Sequence, residues 1–400
     1  MAIRRFGRAG GILEMLPTQS AGAGAFADFD LTRVPSPCFV VDEVSLERNL
    51  QILDDVQKRA DVKILLALKA FSMWSLADTV GRYLSGTCAS GLWEAQLARQ
   101  YYSGSLTSYA PAYKADEIAE ISALSDHVIF NSPAQVARFA EQALAGGADV
   151  GLRLNPLHSE GLVARYDPCA AGSRLGFPID RVGAQLPAQV SGLHIHSLCE
   201  QGFEPLERTI DAIRPYLETW RGQYQWLNLG GGHLITSPSY QRDRLVDLLR
   251  DLRQRLDVEI YLEPGAAVAF DTGILVGEVL DVIDNDGPIA ISDISATCHM
   301  PDVLEAPYRP ALLGEVSAGD EVMIAGPSCL AGDMVGRYRF PSRVQTGQRF
   351  AFLDQSHYSM VKTTTFNGVI LPSIAIWNSQ SDDLRMVRRF GYEDFAHRLS

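Results

Sequence analysis

Between residues 38 and 270 the apolar residues follow two alternating rhythms. Short β-branched or Leu-rich runs recur: "CFVVD", "KILLALK", "GTCAS", "SLTSYA", "HVIFNS", "DVGLRLNP", "VSGLHIHSL", "YQWLNLGGG" and "VEIYLEPG". Most are followed by a loop and then a segment whose apolar residues keep helical spacing, such as "SLERNLQILDDVQKRA", "PAQVARFAEQALAGG" and "EPLERTIDAIRPYLETW". About eight strands alternating with helices predict a TIM-like (β/α)8 barrel, with a doubly wound sheet as the alternative. From "AFDTGILVGEVLDVI" onward the pattern changes to alternating Val/Ile-rich runs with turn residues, and no long helix is expected before "YEDFAHRLS". That shift predicts a mostly antiparallel β-domain. The expected division is a barrel over residues 43–270 and a β-domain from residues 29–42 with 271–400. Residues 1–28, rich in Gly and Ala, are expected to form a loose tail.

Strand ends at a barrel mouth are where chemistry sits, and four of them carry it here. The run Ile64-Leu65-Leu66-Ala67-Leu68 stops at Lys69. That lysine is either a snorkelling surface residue or a desolvated amine able to attack a carbonyl. Gly230, Gly231 and Gly232 follow the strand "QWLNL" and precede a helix, so they form either a tight turn or a backbone cradle for a phosphate. Glu263, held by Pro264 and Gly265, is either a salt-bridge partner or an acceptor for a protonated ring nitrogen. His194 and His196 alternate on one strand and therefore point the same way. They are suited to proton transfer, stacking or metal binding, but no further ligands converge in the sequence and no metal site is expected. A lysine amine, a phosphate-cradling turn, a stackable histidine and a strand-end carboxylate together describe pyridoxal 5'-phosphate.

The bulk numbers narrow the partners. The 400 residues carry a formal net charge of −13, which disfavours nucleic acid or an anionic membrane and suits a cationic small molecule. Cys38, Cys88, Cys169, Cys199, Cys298 and Cys329 are scattered singly without metal spacing, as expected of reduced thiols in a cytoplasmic protein. No apolar stretch has the length of a secretory signal core or a membrane span.

From about residue 35 onward, the order "LALK", "GLHIH", "NLGGG", "LEPG", "GPSC" and "TTFNG" resembles the fold type III pyridoxal-phosphate decarboxylases. These have the alanine-racemase-like barrel and include ornithine and diaminopimelate decarboxylases. The longer stretches "ILLALKAFSMWS", "PCAAGSRLG", "GLHIHSLCEQ", "ISATCHMPDVLEAPYRP", "AGPSCLAGDMVG" and "HYSMVKTTTFNG" resemble the carboxynorspermidine/carboxyspermidine decarboxylase branch.

The resemblance implies that Lys69 bonds covalently to the cofactor and that His196 stacks on its ring. Gly230, Gly231, Gly232 and Tyr358 would hold the phosphate, and Glu263 the ring nitrogen. Cys329 would return a proton after CO2 leaves, reaching across a head-to-tail homodimer. Two positions depart from the ornithine and diaminopimelate enzymes: Leu330 stands where they carry an acidic residue, and Ala266 where they carry an arginine.

The implied reaction is decarboxylation of carboxynorspermidine or carboxyspermidine, with diaminopimelate or ornithine decarboxylation as the nearer alternative and a racemase or a non-catalytic regulatory homologue as the others. A triamine needs carboxylates for its desolvated ammonium groups. The candidates are Glu200, Asp302, Glu305 and Asp333, the last also resembling a residue that pairs across the dimer with Arg174. The segment around Cys298 and His299 has no derivable role.

Overall fold

The computed structural model describes residues 20–161 and 164–400. Residues 1–19 of the expected tail lie outside that range. Residues 20–28 are not loose: a 3-10 turn at Gly24–Asp28 buries Phe26, and Phe26 and Phe29 both pack on Trp377 with ring centroids 5.2 and 4.9 Å away. Apolar side chains inside an otherwise Gly/Ala-rich stretch supply the burial that orders it.

The first apolar run is β1 (Cys38–Asp42), which belongs to the second sheet described below. The barrel strands are β2 (Lys63–Ala67), β3 (Gly86–Ala89), β4 (Ser105–Tyr109), β5 (His127–Phe130) and β6 (Asp149–Asn155). After the two-residue β7 (Phe177–Pro178) come β8 (Gly192–Ile195), β9 (Trp226–Asn228) and β10 (Glu259–Leu262). Without β7, the nine-stranded sheet is a closed ring of eight parallel strands, completed by the β5–β6 and β10–β2 pairings.

Outward-facing residues such as Ile64, Leu66 and Leu193 join the core shared with the helices, while Leu65, Ile129, Trp226 and Tyr261 plug the interior. Glycine at 192 is a condition of that plug, because a Cβ there would lie 1.8 Å from the Trp226 ring. The barrel is therefore a packed solid whose chemistry is confined to its rim.

The second sheet contains β11 (Gly273–Asp284), β12 (Pro288–Ser292), β13 (Glu321–Ala325), β14 (Met334–Arg339), β15 (Arg349–Leu353), β16 (Ser373–Trp377) and β17 (Leu384–Arg388). The strand order is β14-β13-β12-β11-β1-β16-β17, with β15 also on β11. The β1–β16 and β12–β13 pairs are parallel and the others antiparallel, giving the mixed, mostly antiparallel sheet the alternating pattern implies.

β1 is buried throughout because neighbours flank it on both sides. Asp42 at its end accepts from Val44 N and Ser45 N, capping the helix Glu43–Ala60, and also from Ser379 N and Oγ. One carboxylate thus fixes the passage from the sheet domain into the barrel, where a lost cap costs about 1 kcal/mol. No helix among the described residues is long and apolar enough to cross a membrane.

Candidate active site

The carboxyl ends of β2, β8, β9 and β10 bring four of the expected groups to one rim. Glu263 follows β10, and its Oε2 lies 3.2 Å from His194 Nε2 while its Oε1 accepts from Asn228 Nδ2 at 2.7 Å. Asn228 Oδ1 accepts from Gly230 N at 2.8 Å, and His196 Nδ1 accepts from Gly231 N at 3.1 Å. That last bond makes a neutral His196 the Nε2–H form. Tyr109 stacks on His194 at 5.4 Å, and the His194 and His196 rings lie nearly parallel at 6.4 Å. Lys69, two residues past β2, has an exposed side chain with no partner among the described residues.

Burial raises the Glu263 pKa, but the His194 contact, the Asn228 bond and the Lys69 charge outweigh it, leaving the carboxyl below its ordinary range. His194 is lowered by burial despite Glu263. Because Asn228 and Lys69 also favour the anion, the pair is a carboxylate accepting from a neutral imidazole. His196 is held far below the usual value by burial and then by Lys69. Arg153, buried in β6, lies 4.5 Å over the Tyr109 ring and donates to His196 O at 3.3 Å, while its Nε has no partner.

His233 and His299 are depressed to about 4, in each case chiefly by burial. An unfolded histidine protonates near 6.5, so stability falls as pH drops from there toward 4, by on the order of 1–2 kcal/mol per residue at pH 5. His357 has the opposite sign: burial lowers its pKa, but Asp354, Glu200 and Asp271 raise it to about 9. Its contribution is complete below the unfolded value and is lost as pH rises through about 9. Urea titrations should give a lower midpoint at pH 5 than at pH 7; equal midpoints would contradict the neutral state of these histidines.

These residues fit pyridoxal phosphate. A buried anion at Glu263 suits a ring N–H, the unpartnered Arg153 Nε suits an acceptor, and the unpartnered Lys69 amine suits an aldehyde. The glycines fit less completely. Gly230 and Gly231 already donate to Asn228 and His196, so only Gly232 N lacks an acceptor among the described residues. Glycine is required there by packing, since a Cβ at 231 or 232 would lie 2.0 Å from the carbonyl oxygen of Glu263 or Leu198. Of the three amides expected to face the phosphate, that of Gly232 is open in this structure and those of Gly230 and Gly231 are engaged. Tyr358, in the left-handed region at φ 50°, donates its N–H to Ala70 O beside Lys69. The expectation that nothing converges on the histidine pair also needs correction. Ligand atoms of His194, His196 and Glu263 lie within 4.8 Å of one another, although Gly231 N and Asn228 already engage that set.

The acidic candidates separate by their partners. Asp302 accepts from Tyr166 Oη and Lys362, and Glu305 lies 3.5 Å from the same Lys362. Asp333 is already engaged by groups of its own chain. It is 2% exposed and accepts from Ser295 Oγ, Thr297 N, Ser328 N and Ser328 Oγ within its own chain. Arg174 is exposed, with its carbonyl bonded to Asn131. Glu200, at φ 50°, has a pKa raised by burial first and Asp354 and Asp302 next, despite His357. It has no hydrogen-bond or ion-pair partner among the described residues. Cys329 is exposed on a β-domain loop, and its N–H donates to Asn367. Sequence reasoning missed Asn228, Arg153 and His357. A polar residue ending "WLN" and an arginine inside "GLRLN" were the available signals for the first two.

A closed parallel barrel with an unpaired lysine, a buried carboxylate and a stacked histidine at its carboxyl rim defines a fold type III pyridoxal-phosphate enzyme. The chain belongs to the pyridoxal-dependent decarboxylase family, whose C-terminal sheet domain description matches residues 38–356. It is a pyridoxal-phosphate-dependent carboxy-lyase.

Among its relatives, carboxyaminopropylagmatine decarboxylase of Synechocystis sp. is 40% identical over 92% of this chain and 96% of its own length. Carboxynorspermidine/carboxyspermidine decarboxylase of Campylobacter jejuni is 38% identical over 92% and 99%. The crystal structure of carboxynorspermidine decarboxylase complexed with norspermidine from Campylobacter jejuni superposes with a TM-score of 0.84, at 36% identity, covering 91% of this chain and 100% of that one.

Proposed function

We propose that this chain decarboxylates a carboxylated polyamine, carboxynorspermidine or carboxyspermidine, to norspermidine or spermidine. The observation that carries the reading is Glu200, an unpaired, half-buried carboxylate whose charge adds to burial in raising the Tyr358 pKa. Glu200 lines a cavity of about 90 Å³ with Leu234 and Tyr240. Asp302, whose charge acts on Glu200, shares Lys362 with Glu305, so the two carboxylates carry net negative charge beyond that lysine. Leu330 beside Cys329 leaves no carboxylate for a short diamine acid at that point. The 40% identity to the carboxyaminopropylagmatine enzyme supports a second reading within the same class, a substrate ending in a guanidinium.

When bound, the cofactor supplies a sink for the electron pair left on Cα as CO2 departs. Lys69 holds the cofactor, Glu263 keeps a proton on the ring nitrogen, and His196 supports the ring face. Cys329 carries the proton returned to Cα. Cys329 is exposed with its N–H bonded to Asn367, while Leu330, Phe366 and Ile370 nearby are 44%, 49% and 64% exposed. This supports a head-to-tail homodimer in which each Cys329 serves the other subunit. The six unpaired cysteines support a cytoplasmic site of action.

CO2 release should be measured with carboxynorspermidine, carboxyspermidine, carboxyaminopropylagmatine, diaminopimelate and ornithine in parallel. A clear preference for the carboxylated polyamines is expected, and turnover of only the two amino acids would overturn the reading. Glu200→Gln should raise KM for the preferred polyamine roughly tenfold or more, the scale of one hydrogen bond to a charged group, with kcat little changed. An unchanged KM would remove Glu200 from the tail site.

A further inference from the structure

Cys329 lies on an exposed loop, yet a proton donor must be held within about half an ångström of its working position. Three connected sets of bonds do the holding. Asn367 Oδ1 accepts from Cys329 N at 2.8 Å. Asn367 sits in the left-handed region at φ 63° and ψ 14°, which asparagine tolerates better than other side-chain-bearing residues.

The loop carrying Asn367 is pinned in turn by the short helix Ala296–His299. Thr364 N donates to Cys298 O at 2.8 Å, Cys298 Sγ lies 3.5 Å from Phe366 O, and His299 Nε2 lies 2.9 Å from Ile370 O. His299 Nδ1 accepts from Ser295 N, so this buried imidazole is neutral and uses both nitrogens. The third set runs through Asp333, whose carboxylate joins Ser295 and Thr297 at the start of that helix to Ser328, the neighbour of Cys329. The segment around Cys298 and His299 is thus a hub with the Cys329 loop on one side and the Asn367 loop on the other.

The geometry points to Asn367 as a positioning residue for Cys329, with Cys298, His299 and Asp333 forming the clamp that fixes both loops. This rests on Cys329 being the proton donor. Asn367 touches no reacting atom in this role; it orients the backbone from which the thiol projects. The chemistry requires two separable properties at 367: an oxygen acceptor and a left-handed backbone. Asn367→Asp keeps the acceptor, Asn367→Gly keeps the backbone conformation without the acceptor, and Asn367→Ala removes both.

The test uses the pyridoxal-phosphate-loaded full-length protein with its preferred carboxylated polyamine, in the wild-type and Cys329→Ala backgrounds. A second readout, needing no turnover, is the rate at which iodoacetamide alkylates Cys329, followed by peptide mass spectrometry. Asn367→Ala and Asn367→Gly should lower kcat roughly tenfold with KM nearly unchanged, while Asn367→Asp should stay near wild type. Asn367→Ala should also change the alkylation rate several-fold. In the Cys329→Ala background it should cost nothing further, because the two residues act as one unit.

The proposal is overturned if Asn367→Ala costs the same factor in both backgrounds, if Asn367→Asp fails as badly as Asn367→Ala, or if Cys329 alkylation is unchanged. Full activity in Cys329→Ala alone would instead overturn the proton-donor reading, and the alkylation rate would still report whether Asn367 holds the loop.

Discussion

Lys69→Ala is expected to yield a folded protein that loses pyridoxal phosphate on dialysis, shows no visible absorbance and releases no CO2 above background. The loss in kcat/KM should be on the order of 10³-fold or more, as when a group that bonds covalently to the reacting partner is removed. Lys69 is well suited to this test because its side chain is exposed and carries no hydrogen bond or ion pair among the described residues. Surface substitutions of that kind usually shift stability by no more than about 0.5 kcal/mol, so unfolding would not explain the loss. Lys69→Arg retains the positive charge that acts on Glu263 and His196 but replaces the amine with a guanidinium that stays protonated. It should fail as completely as alanine. If Lys69→Arg kept most of the activity, the electrostatic role of the residue would be sufficient and its assignment as the cofactor-binding amine would be wrong.

What the sequence revealed and what it hid follow from the range of the interactions. The barrel was legible because a parallel strand buried on both faces writes itself as a continuous apolar run, as in Ile64 to Leu68, and a helix as a periodic one. Lys69, His196 and Glu263 stood out because each interrupts or ends such a run at the rim. Local pattern carries no information about which distant side chain will answer a charge. Asp333 therefore read as a possible substrate carboxylate, although Ser295 and Ser328 satisfy it from 38 and 5 residues away. The same limit hid the shared lysine of Asp302 and Glu305, 60 residues from Asp302. Gly230 and Gly231 read as a phosphate cradle because composition cannot show that their amides are already committed to Asn228 and His196. Residues 20–28 read as tail because Phe26 meets Trp377 only in three dimensions.

Glu263→Gln should lower kcat by about 10²–10³-fold, the usual cost of removing one preorganised electrostatic partner from a buried site. The mechanism is specific to the carboxylate. Both of its oxygens are in use, one facing His194 Nε2 at 3.2 Å and one accepting from Asn228 at 2.7 Å, and an ionised carboxylate still has lone pairs for a ring N–H. Glutamine offers a single acceptor oxygen and turns an NH2 group toward one of the two donors, so it neither stabilises a positive ring nitrogen nor satisfies its neighbours. Stability should suffer much less than catalysis. Breaking a buried ion pair costs about 3–5 kcal/mol when a charge is left stranded, but the His194 imidazole is neutral, and the substitution removes the buried charge of the pair. The depressed Glu263 pKa means that its stabilising contribution is present above the ordinary carboxyl value and lost as pH falls through the folded value. Glu263→Gln should therefore flatten the acid limb of the stability curve by lowering the neutral-pH midpoint modestly, with the acid-pH midpoint close to wild type. Cofactor retention, kcat and urea midpoints measured together separate the possibilities. A variant that binds pyridoxal phosphate and keeps wild-type kcat would show that the carboxylate is not what holds the ring proton.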